Sequence, residues 1–222
     1  MTYRLKYTQV TIIQRPLLTE LSPMSTLPAT THQGGGVFSL EGSDIARYFH
    51  SIVANHPTAL EFQQRTSIQS SRSVLAIKPE NLPDSLLGTT LVGFETIAQP
   101  YVFMDDEAGS LLAFYYLGHR LAGHVGIVHG GIAAVILDEC MGRACFPQLP
   151  GKIAVTAKLE LEYKSPVPVN SVVLIQADTK IVQGRKAWVE ATVQDANDGQ
   201  HLVKATALFV QPRWADEMSQ VM

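Results

Sequence analysis

The 222-residue chain has few cysteines, no excess of positive charge and no long uninterrupted apolar run. Its net charge of −3 leaves no electrostatic footprint for nucleic acid. The longest apolar stretch, residues 125–137, is shorter than the roughly 18–20 residues of a membrane span and ends at Asp138. Cys140 and Cys145 point in different directions in a predicted helix, so we expect two buried thiols and no disulfide.

What remains is the composition of a globular protein with a real core, at 46% hydrophobic and 17% charged residues. The first 19 residues carry three Lys or Arg side chains and no acid, which is the bias of a mitochondrial transit peptide. We interpret them as a short unstructured leader, because such a bias also arises by chance. No secretory signal is visible, so the expected location is the cytoplasm, with mitochondria as the alternative.

Residues 1–85 are predicted to form an N-terminal extension. Residues 1–40 are rich in Thr, Ser, Pro and Gly and predict an irregular arm. Two helices follow between Glu41 and about Gln69, capped by Ser43 and Thr58 and separated by Pro57. Their predicted apolar positions are Ile45, Tyr48, Phe49, Ile52, Val53, Leu60 and Phe62. Residues 70–90 are predicted to be a connector.

Residues 86–212 have a different pattern, and residues 213–222 a short tail. Residues 101–118 predict a hairpin, followed by a glycine-rich loop and one helix over residues 130–146. Four β-like segments come last, at about 152–163, 169–182, 185–196 and 200–211. A helix that is apolar almost all round must be wrapped by the sheet. The predicted fold class is therefore α+β, with a curled antiparallel sheet around one helix.

The helix begins at the Gly-Gly of "VHGGIAAVILDE", which is suited to binding an anion. The amides of its first turn lack partners within the helix and carry the positive end of its dipole. Glycine there lets another molecule approach the backbone, so Gly130 is a candidate site for an oxyanion. Gly131, Ala134, Asp138 and Met141 form one stripe, with Asp138 about 10 Å from the helix start.

An acid on a buried apolar stripe costs several kcal/mol unless another group satisfies it. Asp138 could have a structural role, by capping another backbone segment or pairing with Arg143. Alternatively, it could have a catalytic role. Glu139 points about 100° away, and we interpret it as a solvated or salt-bridged residue at the rim.

These residues resemble a known family. "GHVGIVHGGIAAVILDE" is similar to the HGG signature of hotdog-fold acyl thioesterases, the branch with phenylacetyl-CoA thioesterase and mitochondrial acyl-CoA thioesterases. "LELEYKSPVPVNSVV" and "GRKAWVEATVQDANDGQHLVKATALFV" resemble the strands that follow the helix in that family. The resemblance covers residues 86–212. It implies a hotdog fold, in which a curved antiparallel sheet wraps the long helix, with active sites at the interface of a homodimer or a dimer of dimers.

The resemblance also implies residue roles. The Gly130 amide would bind the thioester carbonyl, and Asp138 of the partner subunit would act as general base or nucleophile. Thr156 would hold Asp138 or water, and His129 would shape the loop or bond near the carbonyl. Some relatives have an Asn six residues before this histidine. Here Gly123 stands there, so His124 is a candidate to supply the polar contact.

The implied activity is hydrolysis of an acyl-CoA or acyl-carrier-protein thioester, with no cofactor and no bound metal. Gly131, Ala134 and Met141 are the further candidates for substrate contact. A thioester hydrolase needs an activated water, a stabilised oxyanion and an apolar slot.

Other functions remain open. Enoyl-CoA hydratases of this fold use an Asp five residues before the catalytic His. This chain has His124 at that position, so a hydratase would lack its base here. A metal site of His119, His124 and His129 has no usual ligand spacing, and no G-x-S-x-G motif supports a serine hydrolase. The remaining alternative is a non-hydrolytic hotdog protein that binds or processes an acyl or polyketide-like intermediate.

Overall fold

The computed structural model describes residues 9–13, 42–65, 67–74 and 77–215. Ten strands are β1 Gln9–Ile13, β2 Ile68–Ser71, β3 Tyr101–Asp105, β4 Ser110–Leu117, β5 Ala122–His124, β6 Ile127–Val128, β7 Val155–Tyr163, β8 Ser171–Gln183, β9 Lys186–Asp195 and β10 His201–Val210. Three α-helices are α1 Gly42–Asn55, α2 Pro57–Phe62 and α3 Gly130–Cys145. Short helical turns cover Leu82–Asp84, Leu86–Thr90, His119–Leu121 and Phe146–Gln148.

Eight strands form one sheet in the order β1-β7-β10-β9-β8-β4-β3-β2. All its pairings are antiparallel except that of β1 with β7. Helix α3 contacts β4, β7, β8, β9 and β10, so the sheet wraps around it. This arrangement confirms the predicted α+β class and the hotdog fold.

The apolar core lies on both faces of the sheet. One cluster surrounds α3 and includes Leu137, Met141 and Tyr115. The second lies between the opposite face and helices α1 and α2. Strand β4 is buried along its whole length because its alternate residues face the two clusters. The sheet therefore has helices on both sides, with α3 held between the sheet and the connector.

The hairpin, the central helix and the four later strands were predicted correctly. The turn between β3 and β4 has Gly109 at φ 64°, and the turns after β8 and β9 have Gly184 at φ 58° and Gly199 at φ 74°. These left-handed conformations favour glycine, which explains why the turn signals were readable in the sequence.

The N-terminal extension differs from its prediction in two ways. The arm contains strand β1, and residues 68–71 form strand β2 where a helix end was expected. Both strands pair along outer edges of the hotdog sheet, whose unpaired backbone groups are satisfied in this way. Local composition does not reveal that the edges of the sheet need these partners. The domain boundaries at residues 86 and 212 stay a prediction, as does the rest of the arm, which lies outside the described residues.

The helix caps also differ from prediction. Helix α1 already includes Ser43, and α2 is capped by His56, whose Nδ1 accepts from the Thr58 amide at 3.2 Å. Leu60 is 50% exposed, whereas Phe62 is buried as expected. Cys140 and Cys145 are both buried free thiols, as predicted. Within the described residues, no helix is long and apolar enough to cross a membrane.

Candidate active site

The start of α3 is organised by His129. This residue is the N-cap, and its Nδ1 accepts a hydrogen bond from the Gly131 amide at 3.0 Å. The ring proton therefore sits on Nε2, and the Gly131 amide is already engaged. Gly130 is the first helical residue, so its amide has no acceptor within the helix. Of the two glycine amides, that of Gly130 is the one available to an oxyanion.

Tyr163, on strand β7, holds the same turn from the other side. Its hydroxyl donates to the carbonyl of Gly130 at 2.6 Å. A Cβ atom on Gly130 would lie 3.1 Å from that hydroxyl, closer than ordinary packing allows. A side chain at this position would force the Tyr163 hydroxyl to move by a few tenths of an ångström. Tyr163 lies in the segment "LELEYKSPVPVNSVV", and its role was not predicted from the sequence.

Asp138 lies further along α3 and is bound by Thr156 of β7. The Thr156 hydroxyl donates to Asp138 Oδ1 at 2.6 Å. Burial raises the pKa of Asp138 above its usual value, and the bond from Thr156 lowers it in part. A carboxylate with a raised pKa is a stronger base when ionised. Thr156 and Asp138 are thus brought together as the sequence analysis expected.

Arg143 does not pair with Asp138. Its guanidinium instead binds Asp106, in the turn between β3 and β4, at 3.0 Å. The Arg143 side chain is buried, so this contact ties the end of α3 to the hairpin. The structural alternative of an Asp138–Arg143 pair is therefore wrong.

Strand β7 reaches α3 with both Thr156 and Tyr163 because its register shifts between them. Leu208 of β10 faces Lys158, but the next residue, Phe209, faces Thr156. One extra residue in β7 at this point is a β-bulge, which reverses the alternation of side chains. Without it, residues seven apart on a strand would point to opposite faces.

Gly123 explains the departure from the relatives with an Asn at that position. A Cβ atom there would lie 2.9 Å from the Cα of His129, so the loop passes too close for a side chain. His124 is exposed on β5, and within the described residues its side chain makes no hydrogen bond. The structure thus brings His124 to the surface near the helix start without joining it to Gly130 or Asp138.

The stripe expected on α3 is only partly accessible. Gly131 and Ala134 are half-buried on the helix, as a substrate contact would require. Met141 has no exposed surface and belongs to the core around α3. At 3.6 residues per turn the stripe drifts around the helix, which turns Met141 toward the sheet. In this chain Met141 packs beneath the site and does not contact its open face.

Glu139 is not the solvated rim residue that sequence analysis expected. Its side chain is half-buried and lines a cavity under the connector. Burial, and then the nearby charge of Asp138, raise the pKa of Glu139 to about 7. The rotation of about 100° between Asp138 and Glu139 was predicted correctly. Glu139 nevertheless faces a covered pocket, because the connector folds over that side of the helix.

Across the described residues, no three His, Cys, Asp or Glu side chains converge as a metal site would need.

A long central helix wrapped by a curved antiparallel sheet is the arrangement of the hotdog fold. Residues 125–201 match the family model described as "Thioesterase superfamily". The resemblance seen in the sequence is thereby confirmed, since residues 125–201 are similar to the thioesterase superfamily.

Two curated proteins illustrate the similarity. An uncharacterized mitochondrial protein of Candida albicans is 36% identical over 52% of this chain and 54% of its own length. The acyl-coenzyme A thioesterase THEM4 of Rattus norvegicus is 33% identical over 50% of this chain and 46% of its own length. The chain thus spans about half the length of these relatives.

Among solved structures, a phenylacetic acid degradation-related protein of Ralstonia eutropha is similar. It is 24% identical, covers 61% of this chain and 92% of its own, and superposes with a TM-score of 0.47.

Proposed function

We propose that the protein is a thioesterase that hydrolyses an acyl-CoA or acyl-carrier-protein thioester to a free acid and a thiol. The observation that carries this proposal is the Asp138 carboxyl, half-buried and hydrogen-bonded by Thr156 on the helix that begins with the Gly130 amide. Asp138 would take a proton from the attacking water. The Gly130 amide would stabilise the oxyanion that forms on the thioester carbonyl.

The two groups cannot serve one carbonyl from the same chain. Eight residues of helix separate Gly130 from Asp138, about 12 Å at 1.5 Å per residue. A reacting carbonyl has to lie within about 3 Å of both its oxyanion donor and its attacking water. A second copy that brings its own Asp138 to this chain's Gly130 satisfies both distances. The proposal therefore includes a homodimer or a dimer of dimers.

Coenzyme A is the favoured thiol carrier. THEM4 of Rattus norvegicus carries the name acyl-coenzyme A thioesterase, and it is similar to this chain over 50% of the chain's length. The Candida albicans relative is described as mitochondrial, which supports a mitochondrial location in place of the cytoplasmic one expected first.

A thiol-release assay with a panel of acyl-CoA and acyl-carrier-protein substrates tests the proposal. Asp138→Asn should lower kcat by about 10²–10⁴-fold, the usual contribution of a general base. Asp178→Asn, an exposed carboxylate on β8, is the matched control and should leave kcat unchanged. Near-normal turnover by Asp138→Asn would refute the mechanism. Absence of thiol release from every substrate would favour the non-hydrolytic alternative.

A further inference from the structure

A cavity of about 310 Å³ lies beside α3, under the connector that precedes β3. The connector supplies most of its wall, and the apolar side chains that line it include Val74, Leu82, Leu87 and Ile97. Strand β4 contributes Tyr115 and helix α3 contributes Glu139. A mostly apolar recess with a few polar groups is the usual form of a small-molecule site.

Glu139 is a polar group in this cavity whose carboxyl can form further hydrogen bonds. Among the described residues, no ion pair or hydrogen bond engages its carboxyl. Arg72 also lines the cavity, but it donates to the Gln99 carbonyl at 2.7 Å and stacks on Tyr101 at 3.7 Å. The Tyr115 hydroxyl is engaged with the Cys140 sulfur at 3.6 Å. A ligand in the cavity would therefore meet an acid that needs a partner.

The cavity adjoins the candidate base. Glu139 directly follows Asp138 in α3 and lies about 100° around the helix from it. The assignment requires that a thioester whose carbonyl lies at Asp138 sends its acyl chain around the helix edge toward Glu139. The exposed thiol carrier would remain outside.

The chemistry of Glu139 favours one kind of polar group on that chain. Because the pKa of Glu139 is raised to about 7, both its ionised and its protonated form are present near neutral pH. The ionised form only accepts hydrogen bonds, whereas the protonated form donates one. A hydroxyl group can donate to the first and accept from the second, and a ketone can only accept.

We propose that this cavity holds the acyl group of the substrate and that Glu139 selects acyl chains that carry a hydroxyl group. The assignment rests on the proposed function, since it names the substrate class of the same site. Glu139 is here a specificity-determining residue that contacts the acyl chain, distinct from Asp138, which acts on water.

Kinetics with matched substrates test the assignment. Decanoyl-CoA is compared with derivatives that carry one hydroxyl at successive positions along the chain. The wild-type protein should prefer one position, with kcat/KM about 10-fold or more above decanoyl-CoA, as expected for a hydrogen bond to a charged group. Glu139→Leu should abolish that preference and raise kcat/KM for decanoyl-CoA. An equal ratio in wild type and variant, or no preferred position, would overturn the proposal.

A second variant keeps the proposal testable if Glu139→Leu does not fold. Val74→Phe fills the cavity and leaves Glu139 in place, so it should raise KM for every decanoyl substrate while kcat for acetyl-CoA stays unchanged. An unchanged KM would show that acyl chains bind elsewhere. Glu107→Leu, an exposed acid in the β3–β4 turn, is the control for Glu139→Leu.

A binding measurement separates this proposal from the proposed function. The methyl ester of the preferred hydroxydecanoic acid should bind wild type and Asp138→Asn alike, and about 10-fold more weakly to Glu139→Leu. Binding that depends on Glu139 without any thioester hydrolysis would reject the proposed function and keep the cavity. Hydrolysis with binding that is indifferent to Glu139 would reject the cavity and keep the function.

Discussion

Thr156 and Tyr163 lie seven residues apart on β7, yet both side chains hydrogen-bond to helix α3. Thr156 binds the Asp138 carboxyl and Tyr163 binds the Gly130 carbonyl, each at 2.6 Å. The bulge between them allows this, since it reverses the alternation of the strand. One strand thus holds both ends of the candidate catalytic segment of the helix. Substitutions in that strand should therefore change the rate of the proposed reaction.

Thr156→Val tests the contact at Asp138. Loss of the hydroxyl removes the interaction that lowers the pKa of Asp138, so that pKa should rise further. The acid limb of the kcat/KM profile should move to higher pH, and kcat should fall about 10-fold. Thr206→Val, on exposed strand surface, is the control. An unshifted acid limb would show that Thr156 does not tune the base.

Gly130→Ala tests the close approach of Tyr163. The added methyl lies 3.1 Å from the tyrosine hydroxyl, so the hydroxyl or the helix start must shift, and the bond that holds the Gly130 peptide is strained. We expect about 10²-fold lower kcat, comparable to loss of one oxyanion donor. Tyr163→Phe removes the clashing atom, so the double variant should regain part of the stability lost by Gly130→Ala. Strict additivity of the two unfolding free energies would contradict this coupling.

Glu139→Gln tests the pH dependence of stability. Folding raises the pKa of Glu139 from 4.5 to about 7, which means that the folded protein disfavours the ionised form. Its contribution to stability is complete below pH 4.5 and is lost as the pH rises through about 7. At about 1.4 kcal/mol per pKa unit the loss approaches about 3 kcal/mol, reduced to about 2 kcal/mol because the side chain is partly exposed.

The glutamine variant should therefore be more stable than wild type at pH 8 and equal to it near pH 4.5. Urea unfolding at a series of pH values measures the difference, with Glu107→Gln as the exposed control. A constant difference across the range would mean that Glu139 titrates normally.

Asp106→Asn tests the contact that ties the end of α3 to the hairpin. Arg143 is buried and Asp106 is partly exposed, so loss of the acid leaves a buried charge without its partner. The unfolding free energy should fall by about 3 kcal/mol. Arg143→Met should cost less, because the remaining carboxylate can reach water. The reverse order would show that the guanidinium has another partner after the change.

Removal of residues 1–41 tests the role of β1. This strand covers the edge of β7, the strand that carries Thr156. An uncovered edge offers its backbone groups to another chain, so self-association should increase. If a second copy completes the site, kcat at low protein concentration should rise as well. Light scattering and the thiol-release assay measure the two effects, and a truncated chain that is unchanged in both would leave β1 without this role.

The sequence by itself determined the order of the elements, the central helix and the candidate site residues on it. Turn glycines and strict alternation mark β9 and β10, and the HGG stretch marks the start of α3, because these signals are local. The rotation between Asp138 and Glu139 is also local, since it follows from helix geometry alone.

Tertiary structure decided what each side of that helix faces. The bulge in β7 exists because of its pairing with β10, so no pattern in β7 itself announces that Thr156 turns toward Asp138. Glu139 became a cavity residue because the connector, 40 to 67 positions earlier in the chain, folds over it. Strands β1 and β2 form because they pair with the unpaired backbone groups at the edges of the sheet. Those groups belong to β7 and β3, which are distant in the chain, so local sequence does not predict the pairing.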